Sequence, residues 1–140
     1  MTPTRRSPSG PRPAVPNEVY LRRRRALFLV TEGRRTGRPH RVELWFASEP
    51  GRVYLMAYAR RHGRGTDWYR NLRRRGLARV EVGEHRYEAR CDPMADADAA
   101  AALARITDLF VEKYGRQMVN SYYTDTKRFP VCLTIVPLPA

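Results

Sequence analysis

Residues 33–41, GRRTGRPHR, set four arginines, two glycines and a threonine just ahead of an apolar run. Guanidinium forks match phosphate and carboxylate oxygens in paired hydrogen bonds, and glycine lets backbone amides approach an anion closely. The chemistry such a loop could do is anion capture. A second cluster at 59–68, ARRHGRGTDW, repeats the theme and runs into the capping residues Thr66 and Asp67 of a predicted helix. Helix N-termini favour negative charge. Neither cluster is a P-loop, because the lysine and its spacing are missing. Taken alone, a solvated basic turn, a nucleic-acid contact and a clamp for an anionic cofactor all share this pattern.

Other chemistries have weaker support. His40, His62 and His85 fall in three separate segments without the paired spacing of metal ligands. Ser48, Ser121 and the two cysteines lie in no recognisable nucleophile context. Cys91 and Cys132 are isolated, suggest neither a disulfide framework nor a zinc site, and read as buried free thiols. Three tyrosines in EKYGRQMVNSYYTD, Tyr114, Tyr122 and Tyr123, are candidate proton donors. Aromatics in such a segment more often serve as wall or core.

The elements that must position these groups can be read from pattern. The chain is long enough for one domain, expected over 17–140. Its formal net charge is +13, and Lys113 and Lys127 are the only lysines. Residues 1–16 carry five prolines and almost no large apolar group, which predicts a disordered tail. No apolar run approaches the ~18 residues of a membrane span, and Ala26–Val30 is shorter than a secretory core of about seven. A cytoplasmic protein is expected.

A short helix is predicted at Glu18–Arg25. Strands are predicted at Leu27–Thr31, Arg41–Ala47, Val53–Tyr58, from Arg79 to Val82, at His85–Cys91 and at Val131–Val136, the last of them central. Gly83-Glu84 reads as a hairpin turn. One helix runs from the Thr66-Asp67 cap to Gly76, with Trp68, Tyr69 and Leu72 on one face. A second is predicted from the Asp92-Pro93 start to about Tyr114, with Leu103, Ile106, Phe110 and Tyr114 at helical spacing. Six short strands with two inserted helices point to a small antiparallel barrel with peripheral helices.

Three segments in order, GRRTGRPHRVELWF, VYLMAYARRHGRGTDWYRNL and ARVEVGEHRYEARC, resemble the deazaflavin-dependent nitroreductase/quinone reductase family. A looser likeness extends to RFPVCLTIVP. Members of that family are split β-barrels, mainly β with peripheral helices, related to the flavin-binding pyridoxamine-phosphate-oxidase group. The resemblance implies binding of the deazaflavin coenzyme F420, or of FMN as in some relatives. Carried onto this chain, Arg34, Arg35 and Thr36, with Arg41 behind them, would hold a phosphate or acidic tail. The backbone at Ala57, Tyr58 and Ala59 would face the ring, with Trp45 as a ring or pocket wall. Arg60, Arg61 and Gly63 would close the second loop, and Trp68 with Asn71 would anchor the helix. The chain departs from the family pattern where Arg60-Arg61-His62-Gly63 replaces a Gly-Gly loop and where Thr66-Asp67 stands in place of a proline before the tryptophan.

The expected function is an oxidoreductase passing hydride from reduced F420 to a quinone-like or nitroaromatic acceptor. A bound cofactor supplies the reactivity, so no activated nucleophile is required. Two other classes are carried alongside it: a nucleic-acid-binding barrel, disfavoured because acids interleave the arginines, and a non-catalytic flavin-binding protein. By analogy, related flavin-group barrels commonly pair whereas some deazaflavin relatives are monomeric, so the homodimer and the monomer both stay open.

Overall fold

The computed structural model of the 140-residue chain describes residues 17–123 and 127–136. The tail expected at 1–16 lies outside the described residues. The first helix, α1 (Glu18–Arg23), is capped by Asn17, whose Oδ1 accepts from the Val19 and Tyr20 N–H groups at 2.9 and 3.2 Å. Then follow β1 (Leu27–Glu32), β2 (Pro39–Leu44), β3 (Ala47–Glu49), β4 (Arg52–Tyr58), α2 (Asp67–Arg75), β5 (Leu77–Val82) and β6 (His85–Cys91). The chain continues with α3 (Asp96–Tyr114), α4 (Arg116–Tyr122) and β7 (Arg128–Val136).

The strands form one antiparallel sheet in the order β2-β1-β5-β6-β7-β4-β3. Its two edge strands, β2 and β3, are consecutive in the chain. A flat sheet of this order would hold its edges about 29 Å apart, at ~4.8 Å per strand spacing. Only Trp45 and Phe46 link them, and the three Cα steps involved reach at most about 11 Å. The sheet must therefore curl round on itself. It closes by this covalent link, with no ladder from β2 to β3 or β4 among the described residues. The result is a split barrel.

The break at Trp45-Phe46 also corrects the expected strand Arg41–Ala47, which is two strands belonging to opposite edges. The sheet thus has seven strands where six were expected. At the break, the Tyr114 hydroxyl accepts from the Phe46 N–H at 3.1 Å and donates to the Arg25 carbonyl at 2.7 Å, with the Phe46 carbonyl 3.0 Å away. Burial pushes the Tyr114 hydroxyl up to about 12, so it stays a donor. Lys113 stands next to it, its Nζ 3.4 Å above the Phe46 ring and donating to the Leu21 carbonyl at 3.3 Å.

Burial on both faces explains the nearly continuous apolar run of β4. Val53, Leu55 and Ala57 point into the barrel with Leu27, Leu29, Val80, Leu133 and Ile135, and Trp68 and Leu72 of α2 pack on the same cluster. Tyr54 and Met56 point outward beneath Ile106 and Phe110 of α3. Asn71, expected to anchor α2, is buried beside Trp68 and Leu72, and Gly76 ends the helix in the left-handed region at φ 77°.

Helix α3 starts at Asp96 and not at Asp92-Pro93. The Asp92 carboxylate is engaged elsewhere, accepting from the Thr134 hydroxyl at 2.7 Å and the Cys132 thiol at 3.3 Å, and so cannot cap the helix. Cys91 and Cys132 are free and half-buried, where full burial was expected. Burial, followed by the Asp92 hydrogen bond, pushes the Cys132 thiol up to about 12.

Tyr114→Phe should lower unfolding stability by about 1–3 kcal/mol, because it leaves the Phe46 N–H without its acceptor. Urea denaturation should show a lower midpoint at unchanged slope. An unchanged midpoint would mean that ring stacking alone holds the break.

Candidate functional site

The split creates the site. Strand β3 pairs with β4 only across Arg52–Tyr54, while β4 runs on to Tyr58. The Ala59 N–H donates to the Lys127 carbonyl opposite it at 2.9 Å, which fixes the alternation of the β4–β7 ladder. Ala57 therefore exchanges its backbone bonds with Phe129, and Ala59 with Lys127. The N–H and C=O groups of Met56 and Tyr58 face the other way, beyond the end of β3. They border a cleft of about 620 Å³. Its lining comes from β2 (His40, Val42, Glu43, Leu44), the break (Trp45), β4 (Met56, Tyr58), the loop before α2 (Arg60, Thr66), α2 itself (Asp67, Trp68), α4 (Tyr122) and the adjoining Tyr123 and Arg25.

One wall is aromatic. The Trp45 indole lies between Tyr114, at 4.5 Å and 18°, and Tyr122, at 4.6 Å and 23°. Tyr58 stacks on Tyr122 at 6.2 Å, and its hydroxyl donates to the Tyr122 carbonyl at 3.0 Å. This bond ties α4 to the end of β4. Burial pushes Tyr58 up to about 12 and moves Tyr123 upward as well. The Arg25 guanidinium stands 5.9 Å from the Trp45 ring, adding charge at the rim.

The other end is basic. The 33–38 turn closes with Gly33 N–H to the Arg38 carbonyl and Gly37 N–H to the Gly33 carbonyl, both at 2.8 Å. Thr36 Oγ1 accepts from the Arg38 N–H at 3.2 Å. The second loop turns at Arg60, a non-glycine residue at φ 66°, and at Gly63. Arg70 is shifted down by desolvation and then by Arg34, Arg64 and Arg35, so cations of both loops and α2 share one potential. His62 is lowered by desolvation and then by Arg64, Arg70 and Arg60.

Thr66 lines the cleft at the start of α2. It is the N-cap of α2 but caps nothing with its side chain, and its buried Oγ1 has no hydrogen-bond partner. A buried hydroxyl left unpaired is costly unless a ligand group supplies the partner.

The expected site residues separate into three groups. Trp45, Tyr58, Arg60, Trp68, Tyr122 and Tyr123 line the cleft. Arg35, Thr36, Arg61 and Gly63 lie exposed on the two loops, outside the lining. Arg34, Arg41, Asn71, Ala57, Ala59 and Tyr114 are engaged by the protein itself. Arg34 donates through its backbone and its Nη1 to Asn71 Oδ1 at 3.1 and 2.8 Å and pairs with Asp67 at 3.1 Å. Asn71, 3% exposed, also donates to Thr31 at 3.3 Å. Arg41 is turned to the outside, 3.5 Å over the Phe28 ring and paired with Glu81 at 3.0 Å. Its neighbour His40 faces the cleft instead, since successive strand residues point to opposite faces. The ring-facing backbone expected at Ala57 and Ala59 moves to Met56 and Tyr58 for the same alternation. The sequence reading missed His40, Met56, Thr66 and Arg25; the even spacing of His40, Val42 and Leu44 was the available signal for the first.

The profile of a family described as F420H(2)-dependent quinone reductase matches residues 16–134. No curated protein matches the chain. Among solved structures, a conserved hypothetical protein of Mycobacterium tuberculosis is 21% identical, with 94% of this chain and 95% of that one covered at a TM-score of 0.58. An F420-H2 dependent reductase is 19% identical, covering 79% and 94% at 0.54. A FAD-binding protein of Mesorhizobium loti is 12% identical, covering 84% and 85% at 0.59. At these identities the structural likeness speaks for the fold alone, which is the split barrel.

Asn71→Ala should destabilise the protein by about 2–3 kcal/mol, since it strips a buried acceptor from Arg34 and a donor from Thr31. Amide exchange in the 33–38 turn should accelerate more than exchange in β5 and β6. Equal acceleration everywhere would mean that Asn71 supports the whole barrel and not this loop.

Proposed function

The chain belongs to the F420H(2)-dependent quinone reductase family, and on that premise we propose that it delivers hydride to a quinone-like or nitroaromatic acceptor seated against the Trp45–Tyr122 wall. It is an oxidoreductase and its cofactor is F420. The observation that carries the finer reading is one cleft with an aromatic wall, lying beside the two arginine loops, with the uncovered β4 edge and the orphan Thr66 hydroxyl in its lining. A flat heteroaromatic ring with an anionic tail has the complementary shape and charge.

Reduced F420 supplies the hydride when bound. The chain's own residues bind, orient and shield. The backbone groups of Met56 and Tyr58 would hold ring heteroatoms, and Trp45 and Trp68 would fix the ring plane. Thr66 Oγ1 would take a hydrogen bond it now lacks. Arg60, Arg61 and Arg35, with Thr36 and the open turn at Gly63, would receive the acidic tail, while Arg34 and Asn71 hold the first loop in place. Two-electron reduction of a quinone adds a hydride and a proton. The Tyr114 hydroxyl is committed to the backbone at the break, and the Tyr58 hydroxyl to the Tyr122 carbonyl. Tyr122 is 53% exposed at the mouth. It is the tyrosine best placed to move a proton from water to an acceptor oxygen.

Tryptophan fluorescence titrated with F420 and FMN in parallel tests the reading, because both tryptophans line the cleft. F420 should quench saturably, and the complex of protein with reduced F420 should turn over a soluble quinone. A flat response to both cofactors would sink the proposal. Thr66→Val should weaken F420 binding about tenfold, the loss of roughly one hydrogen bond, while raising the melting temperature of the ligand-free protein. An unchanged F420 affinity would remove Thr66 from the site.

A further inference from the structure

Strand β7 runs on past the point where β6 leaves it. The β6–β7 ladder joins Glu88–Cys91 to Leu133–Val136, with one more bond from the Asp92 N–H to the Cys132 carbonyl at 2.9 Å. Thr134 holds the Asp92 carboxylate there, and the chain departs through Pro93 toward α3. The Arg128–Pro130 edge of β7 is left uncovered on that side. Because Phe129 pairs with Ala57 toward β4, the alternation turns the Arg128 N–H and C=O and the Pro130 C=O into the gap.

Helices α2 and α3 form the gap's walls around a cavity of about 500 Å³. It shares no lining residue with the cleft. Tyr69 and Phe129 stack on each other at 4.9 Å and 13° and both border the cavity, and Ala99 and Leu103 of α3 supply an apolar face. Three cations line it, Arg73, Lys127 and Arg128, against the single carboxylate of Asp96. None of the three forms an ion pair among the described residues. The Arg128 guanidinium lies 5.3 Å over the Tyr123 ring, with its Nη1 3.7 Å from Met56 Sδ and its buried Nε without an acceptor.

We propose that this cavity is a second ligand site, for a small planar aromatic carboxylate. The ring packs against the Tyr69–Phe129 pair, and the carboxylate meets the exposed cations Arg73 and Lys127. The volume suits a small ligand. A peptide strand would need continuous edge bonding, and Pro130 offers no N–H to it. The occupant is therefore a small molecule.

Calorimetric titration of the full chain with 2-naphthoate tests this directly. One site per chain is expected, and the neutral isostere 2-naphthamide should bind at least tenfold more weakly. Arg73→Gln should weaken naphthoate about tenfold, the loss of one charged contact. Ala99→Trp should abolish binding by filling the cavity, whereas Trp45→Ala, in the cleft, should leave it unchanged. Melting temperatures establish that each variant is folded, and Arg73→Gln decides the matter if Ala99→Trp is not. No binding heat, equal affinity for the amide, or loss of binding with Trp45→Ala but not with Ala99→Trp would each overturn the proposal.

Discussion

The architecture depends on a two-residue link between the opposite edges of one sheet. Trp45 and Phe46 cannot span a flat seven-stranded sheet, so the strands curl until β2 and β3 meet end to end. Curling bends a backbone whose polar groups would otherwise be stranded at the bend. The Tyr114 hydroxyl answers this by satisfying the Phe46 N–H and the Arg25 carbonyl from a distant helix. One aromatic side chain thus joins α3, the segment leading into β1 and the break, and its ring also backs the Trp45 indole. The same contact that shapes the barrel sets one wall of the cleft.

Incomplete pairing then opens the cleft. Strand β3 is three residues long, so the far half of β4 has no neighbour on one side, and the register with β7 determines that Met56 and Tyr58 carry the exposed backbone groups. A full ladder would have left no cleft. The β7 edge left by β6 is a second instance of the same rule, with the opposite neighbour missing. In both places side chains from α2, Trp68 on one side and Tyr69 on the other, wall the vacancy. One turn of helix thereby serves two cavities.

Charge is distributed by position more than by number. The chain carries +13 overall, yet Arg34, Arg41, Arg75, Arg79 and Arg105 are held by carboxylates at the surface. Such exposed pairs contribute little stability, in the range of ~0–1 kcal/mol each. All but the Arg34–Asp67 pair hold their guanidinium groups on carboxylates outside the cleft lining. Arg35, Arg60, Arg64 and Arg70, whose fields overlap and which form no ion pair among the described residues, crowd the loop end instead. That crowding concentrates positive charge locally on a generally basic protein.

The motif loops, the strand hairpin at Gly83-Glu84 and the Trp68-bearing helix were all legible in the sequence, because their signals are local. Period-2 alternation, a C-cap glycine and an arginine-glycine turn are each written within about ten residues. The three motifs in their order also sufficed to identify the family. The sequence did not reveal the division of Arg41–Ala47 between two edges, since alternation continues across the break and only closure of the barrel forbids one straight strand. Nor did it reveal that Asp92 serves Thr134 and not α3, or that Arg34 and Asn71 secure the loop from behind. These outcomes depend on partners 37 to 42 positions away in the chain. Strand register and the curl of the sheet decide which side chains and backbone groups meet, and no local propensity encodes them. The sequence by itself determined which chemistry the chain carries; the tertiary structure alone decided which residues are free to perform it.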